Sequence, residues 1–245
     1  MEHATKKWQK VQDDFYIDAE KHKHLSFESE SIYAKLLVNQ MVRGLSLSYS
    51  DSILDIGAGA GRFTLHLAPF CKKIVALDTS QALLASLERQ SAHGSNLQIK
   101  CASVFDLPLD FGPSSFDAVS GFFILHHLPD HIKLFKLIFE TLKPGGRIGF
   151  LEPNRINPLF LLQVMFSREM TWEAERGMFT FSASSTIKIL KDIGFVNPRI
   201  QRSGFFPPQL LDKVPGLPTL QKGIERFAPV RRLLPFVLIN AQKPR

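Results

Sequence analysis

The sequence predicts an α/β protein built on a doubly wound, mostly parallel sheet of seven strands. Three observations carry that prediction. Short apolar runs rich in β-branched residues alternate with helical patterns between residues 52 and 151, the rhythm of βαβ units. A glycine-rich turn, Gly57-Ala58-Gly59-Ala60-Gly61, follows the first run and opens a helix. A length of 245 residues with 44% hydrophobic content supplies one sizeable core, unlike the composition of a disordered chain.

The elements follow in order. Residues 1–50 read as a helical, mostly polar cap, and residues 51–245 as one domain. The cap's amphipathic segment, 32–45, ends near Gly44, a residue type that stops helices. The first strand covers 52–56. A helix then runs over 62–68 and is closed by Pro69. A second strand at 73–77 leads into a helix over 80–90. Gly94 and Asn96 turn the chain into a third strand at 97–100. A loop with Leu107-Pro108-Leu109 and Phe111-Gly112-Pro113 comes next. The fourth strand is 116–121 and its helix 130–142, ended by Pro144-Gly145-Gly146. The fifth strand is 147–151. Beyond residue 152 the rhythm changes. An apolar stretch fills 153–183, a helix over 184–191 ends at Gly194, and a strand covers 195–201. A Pro-rich basic stretch fills 204–232, and 236–241 reads as the last strand. The two irregular stretches, inserted after strands five and six, are expected to face a substrate.

The formal net charge of +7 is concentrated at one end. Residues 199–245 hold nine basic side chains (Arg199, Arg202, Lys213, Lys222, Arg226, Arg231, Arg232, Lys243 and Arg245) against two acids, Asp212 and Glu225. That difference equals the whole excess. Such a surface attracts the phosphates of lipid or nucleic acid, or is a solvated face. No secretory-signal pattern opens the chain, and the richest apolar run, 159–166, is too short to cross a bilayer. Cys71 and Cys101 make no disulfide framework and lack metal-ligand spacing, so no metal is expected and a cytoplasmic, reducing setting is. Both thiols read as buried small hydrophobes.

Chemistry concentrates at the glycine turn. Glycines let the backbone turn sharply and approach a ligand. The spacing Gly57, Gly59, Gly61 departs from the dinucleotide fingerprint, whose third small residue would stand at position 62, where the chain has Arg62. Asp55 precedes the turn. It would repel a pyrophosphate but suits a ligand with an ammonium group, as S-adenosylmethionine has. Both features argue against a nicotinamide oxidoreductase. Asp78 ends the second strand, where a carboxylate can accept bonds from ribose hydroxyls. The loop after the third strand, 101–109, lies at the same edge of the sheet.

These residues also carry a family resemblance. The blocks Ile53-Leu-Asp-Ile-Gly-Ala-Gly-Ala-Gly61, Leu77-Asp78, Asp106-Leu-Pro108, Ser115-Phe-Asp-Ala-Val119, Leu125-His-His-Leu-Pro-Asp130 and Leu142-Lys-Pro-Gly-Gly146 stand in this order. Together they resemble the class I S-adenosylmethionine-dependent methyltransferases with a type 11 domain, including the ubiquinone/menaquinone C-methyltransferase group. The resemblance implies a Rossmann-like sheet whose seventh strand is antiparallel, S-adenosyl-L-methionine as cofactor, and a set of contacts to it. Gly57, Gly59 and Gly61, with Ala58 between them, would hold the methionine part. Asp78, with Thr79 beside it, would hold the ribose. Ser103 and Val104 would flank the adenine, although relatives often carry Asp or Asn where Ser103 stands. Asp55 and Phe122 complete the expected cofactor contacts.

Methyl transfer from a sulfonium is an in-line displacement, so alignment and exclusion of water dominate, and a general base helps with a hydroxyl or acidic carbon. His126 and His127 follow the fourth strand and Glu152 ends the fifth, which makes these three the candidate catalytic residues. A packing or helix-capping role for a histidine, and a turn-forming role for Glu152, are the alternatives. Tyr16 and Tyr33 can line the pocket; Tyr33 shares an apolar helix stripe with Leu36 and Leu37 and reads as packing. His22, His24 and His66 lack a supporting partner in the sequence and read as surface or packing residues.

The acceptor is narrowed by what the chain lacks. There is no Asn/Asp-Pro-Pro-aromatic tetrapeptide, no Pro-Cys dipeptide and no appended RNA-binding module, so no nucleic acid is expected as substrate. Leu159, Phe160, Met165, Phe166, Met170, Trp172, Met178, Phe179 and Phe181 can line an apolar pocket. Phe205, Phe206, Leu210 and Leu211 sit among basic residues, the pattern of a peripheral membrane contact. The expectation is a small, apolar or lipid-like acceptor of isoprenoid or quinone-like type, met at a membrane surface. A soluble metabolite O-methyltransferase with a solvated basic tail and a non-catalytic cofactor-binding protein are the competing readings.

Overall fold

The computed structural model describes residues 27–91, 96–157, 181–206, 208–211, 213–226 and 228–245. Tyr16, His22, His24, the Gly94 turn and the apolar residues of 158–180 lie outside them. Seven strands form one sheet: β1 (Ser52–Ile56), β2 (Lys73–Asp78), β3 (Leu97–Cys101), β4 (Phe116–Phe122), β5 (Leu142–Pro153), β6 (Val196–Ser203) and β7 (Phe236–Gln242), in the order β3-β2-β1-β4-β5-β7-β6. The pairs β3·β2, β2·β1, β1·β4 and β4·β5 are parallel, whereas β7 runs antiparallel to both β5 and β6. The order reverses between β1 and β4, so a crevice opens beyond the carboxyl ends of these two strands.

Both faces are covered. On one lie α1 (Ile32–Leu45), α2 (Thr64–Leu67) and α3 (Gln81–Gln90); on the other lie α4 (Leu107–Asp110), α5 (His131–Thr141) and α6 (Ala183–Ile193). Burial on two sides explains why β1, β2 and β4 read as continuous apolar runs. Leu54, Val75, Leu77, Val119 and Phe150 meet Leu134, Phe135 and Ile138 of α5, while Ile53, Ile74 and Leu238 meet Leu37, Val38 and Met41 of α1. Two further helices, α7 (Pro208–Leu211) and α8 (Leu217–Arg226), and a 3-10 segment (Ala228–Leu233) precede β7.

Several expectations are corrected in detail. α1 covers the expected 32–45, but its left-handed cap is Ser46, at φ 49°, rather than Gly44. Gly44 sits inside the helix because a Cβ there would meet Leu238 Cδ2 at 2.6 Å. Gly149 of β5 does the reciprocal service, since its Cβ would meet Met41 Sδ at 2.6 Å. Two missing side chains thus let helix and sheet approach closely. Pro144-Gly145-Gly146 does not end α5 either. The chain enters β5 at Leu142, and the register shifts between the Phe116 and Ala118 pairings, so this tripeptide belongs to an irregularity within the strand. Residues 107–110 form a helical turn rather than a loop, and 204–232 contains helices rather than an irregular stretch. The helix after the glycine turn is shorter than its pattern, passing at Ala68 into a 3-10 turn that contains Pro69. Gly194 closes α6 as expected, at φ 111°.

Candidate active site

The glycine turn is tied to β2 by backbone and carboxylate. The amides of Gly57 and Ala58 both donate to the Leu77 carbonyl, at 2.8 and 3.1 Å. The Gly59 amide donates to Asp78 Oδ2 at 2.8 Å, and the Ser80 amide to Oδ1 at 2.8 Å. Asp78 therefore clamps the turn to the start of α3. Gly57, Gly59 and Gly61 all have left-handed φ, of 73°, 52° and 88°, which side chains resist. Their surroundings differ. A Cβ would strike Ile124 at 2.6 Å from Gly57 and Leu87 at 2.4 Å from Gly61, but from Gly59 no described residue lies nearer than Leu83 at 3.9 Å. Among the described residues, Gly59 alone of the three faces open space.

Asp55 lies beneath this turn, 2% exposed. Its two oxygens accept the hydroxyls of Thr64 and Ser120, each at 2.7 Å. Burial pushes its carboxyl from 3.8 up to about 6; the two hydroxyls oppose this and the Asp78 charge adds to it. The side chain joins β1, β4 and α2 at the switch point.

On β3 the Ser103 hydroxyl caps the following 3-10 turn by accepting the Phe105 amide at 3.2 Å, and Val104 is buried. Thr79 is exposed, and its carbonyl accepts the Cys101 thiol at 3.6 Å. Cys101 is itself exposed, contrary to expectation, because it closes the sheet's edge strand. Cys71 is buried as expected, donating to the Ala68 carbonyl at 3.4 Å, and burial pushes its thiol up to about 11.

Beyond β4, Glu152 organises the candidate catalytic group. It is 0% exposed. Its Oε1 accepts the amides of Ile124 and Leu125 at 2.9 and 2.8 Å, and its Oε2 lies 2.6 Å from His126 Nδ1. His126 is buried, His127 half-buried, and their ring centroids are 3.9 Å apart. The three residues named from the sequence thus come together, with Glu152 acting on the loop rather than facing outward. His66 is also partnered after all: its Nε2 lies 3.0 Å from the Glu28 carbonyl and its ring against Phe27.

Aromatic rings line the same edge. Phe122 stacks on Phe63 with centroids 4.6 Å apart at 12°. Phe123 has a φ of 56°, unusual for a bulky residue, and places its ring 5.6 Å from both Phe63 and Phe236. Tyr33 lies 5.9 Å from Phe236, inside the α1 packing as expected. The Arg62 guanidinium stands over Tyr33 at 5.1 Å and Phe63 at 5.5 Å.

Several contributors were not singled out from the sequence: Thr64 and Ser120 around Asp55, Phe63 and Phe123 in the aromatic group, and Gln90, whose amide donates to the Ala60 carbonyl at 3.2 Å. Ser120 carried a signal, as a hydroxyl in the buried stretch Ala118–Phe122 of a central strand; Gln90, 30 residues from its partner, carried none.

A sheet with antiparallel β7 between β5 and β6, a glycine turn at the end of β1 and an acid at the end of β2 match the class I methyltransferase fold that the resemblance implied. Comparison with known proteins agrees. Residues 54–150 match the family model described as a methyltransferase domain. A demethylmenaquinone methyltransferase of Staphylococcus aureus is 23% identical over 197 residues, covering 72% of this chain and 79% of its own. Among solved structures, the (4+2)-cyclase SpnF is similar with a TM-score of 0.65 at 19% identity over 97% of each chain. Phosphoethanolamine N-methyltransferase 2 of Haemonchus contortus, solved with phosphomonomethylethanolamine and S-adenosylhomocysteine, gives 0.57 at 19% identity over 86% of this chain and 52% of that one. At such identities the structural likenesses speak to fold. The domain match and the Staphylococcus aureus relative together support S-adenosylmethionine-dependent methyl transfer by this chain. No helix among the described residues is long and apolar enough to cross a membrane.

Proposed function

We propose that this methyltransferase acts on a small apolar, lipid-like acceptor of isoprenoid or quinone-like type. The observation that carries this is the group of rings at the sheet's carboxyl edge, where half-buried Phe63 and Phe123 lie against buried Tyr33, Phe122 and Phe236, an apolar wall suited to a flat apolar molecule. The relative named as a demethylmenaquinone methyltransferase accords with it.

The residues suit the cofactor. The open space at Gly59 is what a Cβ would take from a ligand. The backbone of Gly57, Ala58, Gly59 and Gly61 would hold the methionine part, with Asp55 below for the ammonium. Asp78, at the end of β2 beside the turn, would accept the ribose hydroxyls, with Thr79 alongside. Ser103 and Val104 would border the adenine, and Phe122 the sulfur end. When bound, the cofactor supplies an electrophilic methyl group on a cationic sulfur. The chain aligns the acceptor and keeps water out. One of His126 and His127 takes the acceptor's proton, and Glu152 holds His126 in place for that task.

The approach of a lipid-like acceptor fits the surface beside the site. Leu210, Val214, Leu220 and Leu233 are exposed near exposed Lys213, Lys222, Arg231 and Arg232, as contact with an anionic membrane requires. Asn154 ties this segment to the end of β5 by donating to the Arg232 and Leu234 carbonyls at 2.9 and 2.7 Å.

The test offers the purified chain labelled S-adenosylmethionine with either a short-chain prenylated naphthoquinol or water-soluble catechols. Label in the prenylated product supports the reading; label only in the catechols favours a soluble metabolite acceptor and rejects it. Flotation with vesicles containing phosphatidylglycerol tests the membrane contact, which absence of binding at low salt would discard.

A further inference from the structure

Arg62 occupies the position after the third glycine, where the dinucleotide fingerprint would have a small residue. The geometry assigns Arg62 as the receptor for the carboxylate at the methionyl end of the cofactor. This rests on S-adenosylmethionine lying along Gly57–Gly61, as proposed above, and adds a residue to that site.

Three observations converge on it. The first is charge. The cofactor's amino-acid end is a zwitterion, and the turn meets it with two acids, Asp55 and Asp78, which suit the ammonium and the ribose but repel the carboxylate. Segments 57–63, 78–80 and 101–106 contain one basic residue, Arg62. The nearest lysine in sequence, Lys100, is paired with Asp110 at 2.5 Å.

The second is the state of the guanidinium. Arg62 is half-buried, yet among the described residues its side chain has no ion pair or hydrogen bond, only the faces of Tyr33 and Phe63 at 5.1 and 5.5 Å. A half-buried guanidinium whose N–H groups are unspent within the described residues is matched to a planar carboxylate.

The third is preorganisation. The two rings hold the guanidinium between them before any ligand arrives, which reduces the entropy lost on binding. Phe63 is itself stacked on Phe122 at 4.6 Å, and Tyr33 is buried in α1. The sulfur end and the carboxylate end of the ligand would thus be served by one connected set of side chains.

The test is a pair of titrations by calorimetry on the full chain, with S-adenosylmethionine and with its decarboxylated analogue, which keeps the ammonium and the sulfonium. Wild type is expected to prefer S-adenosylmethionine by about tenfold or more, as for a charge-assisted pair. In Arg62→Gln the affinity for S-adenosylmethionine falls by about that factor, and the analogue's by less than twofold, so the preference disappears. Arg62→Lys, which keeps the charge and loses the fork, retains part of the preference and guards against a variant that fails to fold. Equal losses for both ligands, or no loss for either, overturn the assignment. A wild type that binds neither ligand overturns the reading of the site, and this assignment with it.

Discussion

Glu152 Oε2 lies 2.6 Å from His126 Nδ1, while the same carboxylate's other oxygen accepts the amides of Ile124 and Leu125. One side chain therefore shapes the loop after β4 and fixes the ring it carries. Glu152→Gln keeps an acceptor for the amides but removes the charge beside the imidazole. It is expected to lower kcat by about 100-fold, the scale of general-base catalysis, with the Kd for S-adenosylhomocysteine within twofold of wild type. Glu152→Ala additionally leaves two buried amides without an acceptor and lowers stability by about 2 kcal/mol or more. Unchanged kcat in Glu152→Gln would remove the proton-transfer role from His126.

Asp55 predicts a pH signature. Its carboxyl is raised by burial from 3.8 to about 6, so between pH 4 and 6 the folded protein holds a proton that the unfolded chain has released. Stability from this group is full below pH 4 and is lost as pH rises through 6. Asp55→Asn can keep both hydroxyl contacts without the buried charge. Its melting temperature at pH 8 is expected to exceed wild type by a few degrees, with a flatter slope from pH 4 to 6, while affinity for S-adenosylmethionine drops about tenfold. Scanning calorimetry across that range checks it, and an identical slope in both proteins would refute the assignment.

The glycines of the turn are expected to separate by phenotype. Gly61→Ala drives a methyl group into Leu87 Cδ1 at 2.4 Å and adds the strain of a left-handed residue, together about 2–4 kcal/mol. Gly59→Ala carries only the backbone strain, roughly 1–2 kcal/mol, but fills the open space. Thermal melts should rank Gly61→Ala as less stable, whereas titration with S-adenosylhomocysteine should rank Gly59→Ala as the poorer binder. If the folded Gly59→Ala protein binds normally, the ligand does not lie there.

Gly44→Ala tests the helix–sheet approach. A methyl group 2.6 Å from Leu238 Cδ2 is expected to destabilise by about 1–3 kcal/mol, leaving activity per folded molecule intact. Chemical denaturation measures it; a gain in stability, as alanine gives in an open helix, would contradict the packing.

Strand positions and the glycine turn were legible because they rest on local periodicity and on residues whose backbone demands are intrinsic. Ser52–Ile56, Lys73–Asp78 and Phe116–Phe122 appear within one residue of the pattern. Gly44 and Pro144-Gly145-Gly146 misled for one reason. A stop signal is read from composition, but tertiary contact chose the outcome: Gly44 sits inside a helix to make room for Leu238, and pairing with β4 drew the chain into β5 ahead of the tripeptide. At the site, the acids and glycines were visible as types. Their partners were not, because Glu152 meets His126 across 26 residues and Ser120 meets Asp55 across 65, distances that no spacing rule encodes. Arg62 was visible only as a departure from a motif; its two rings came from folding.

The place of β7 has a consequence for biosynthesis. This last strand is interior, hydrogen-bonded to β5 on one side and β6 on the other, and Lys243 just beyond it reaches back to the Phe139 and Leu142 carbonyls at 2.7 Å each. A nascent chain whose β7 has not yet been made lacks the segment that joins β6 to the rest. Until that strand pairs, the edge of β5 stays bare and β6 has no neighbour in the sheet, a window in which chaperones would find this protein.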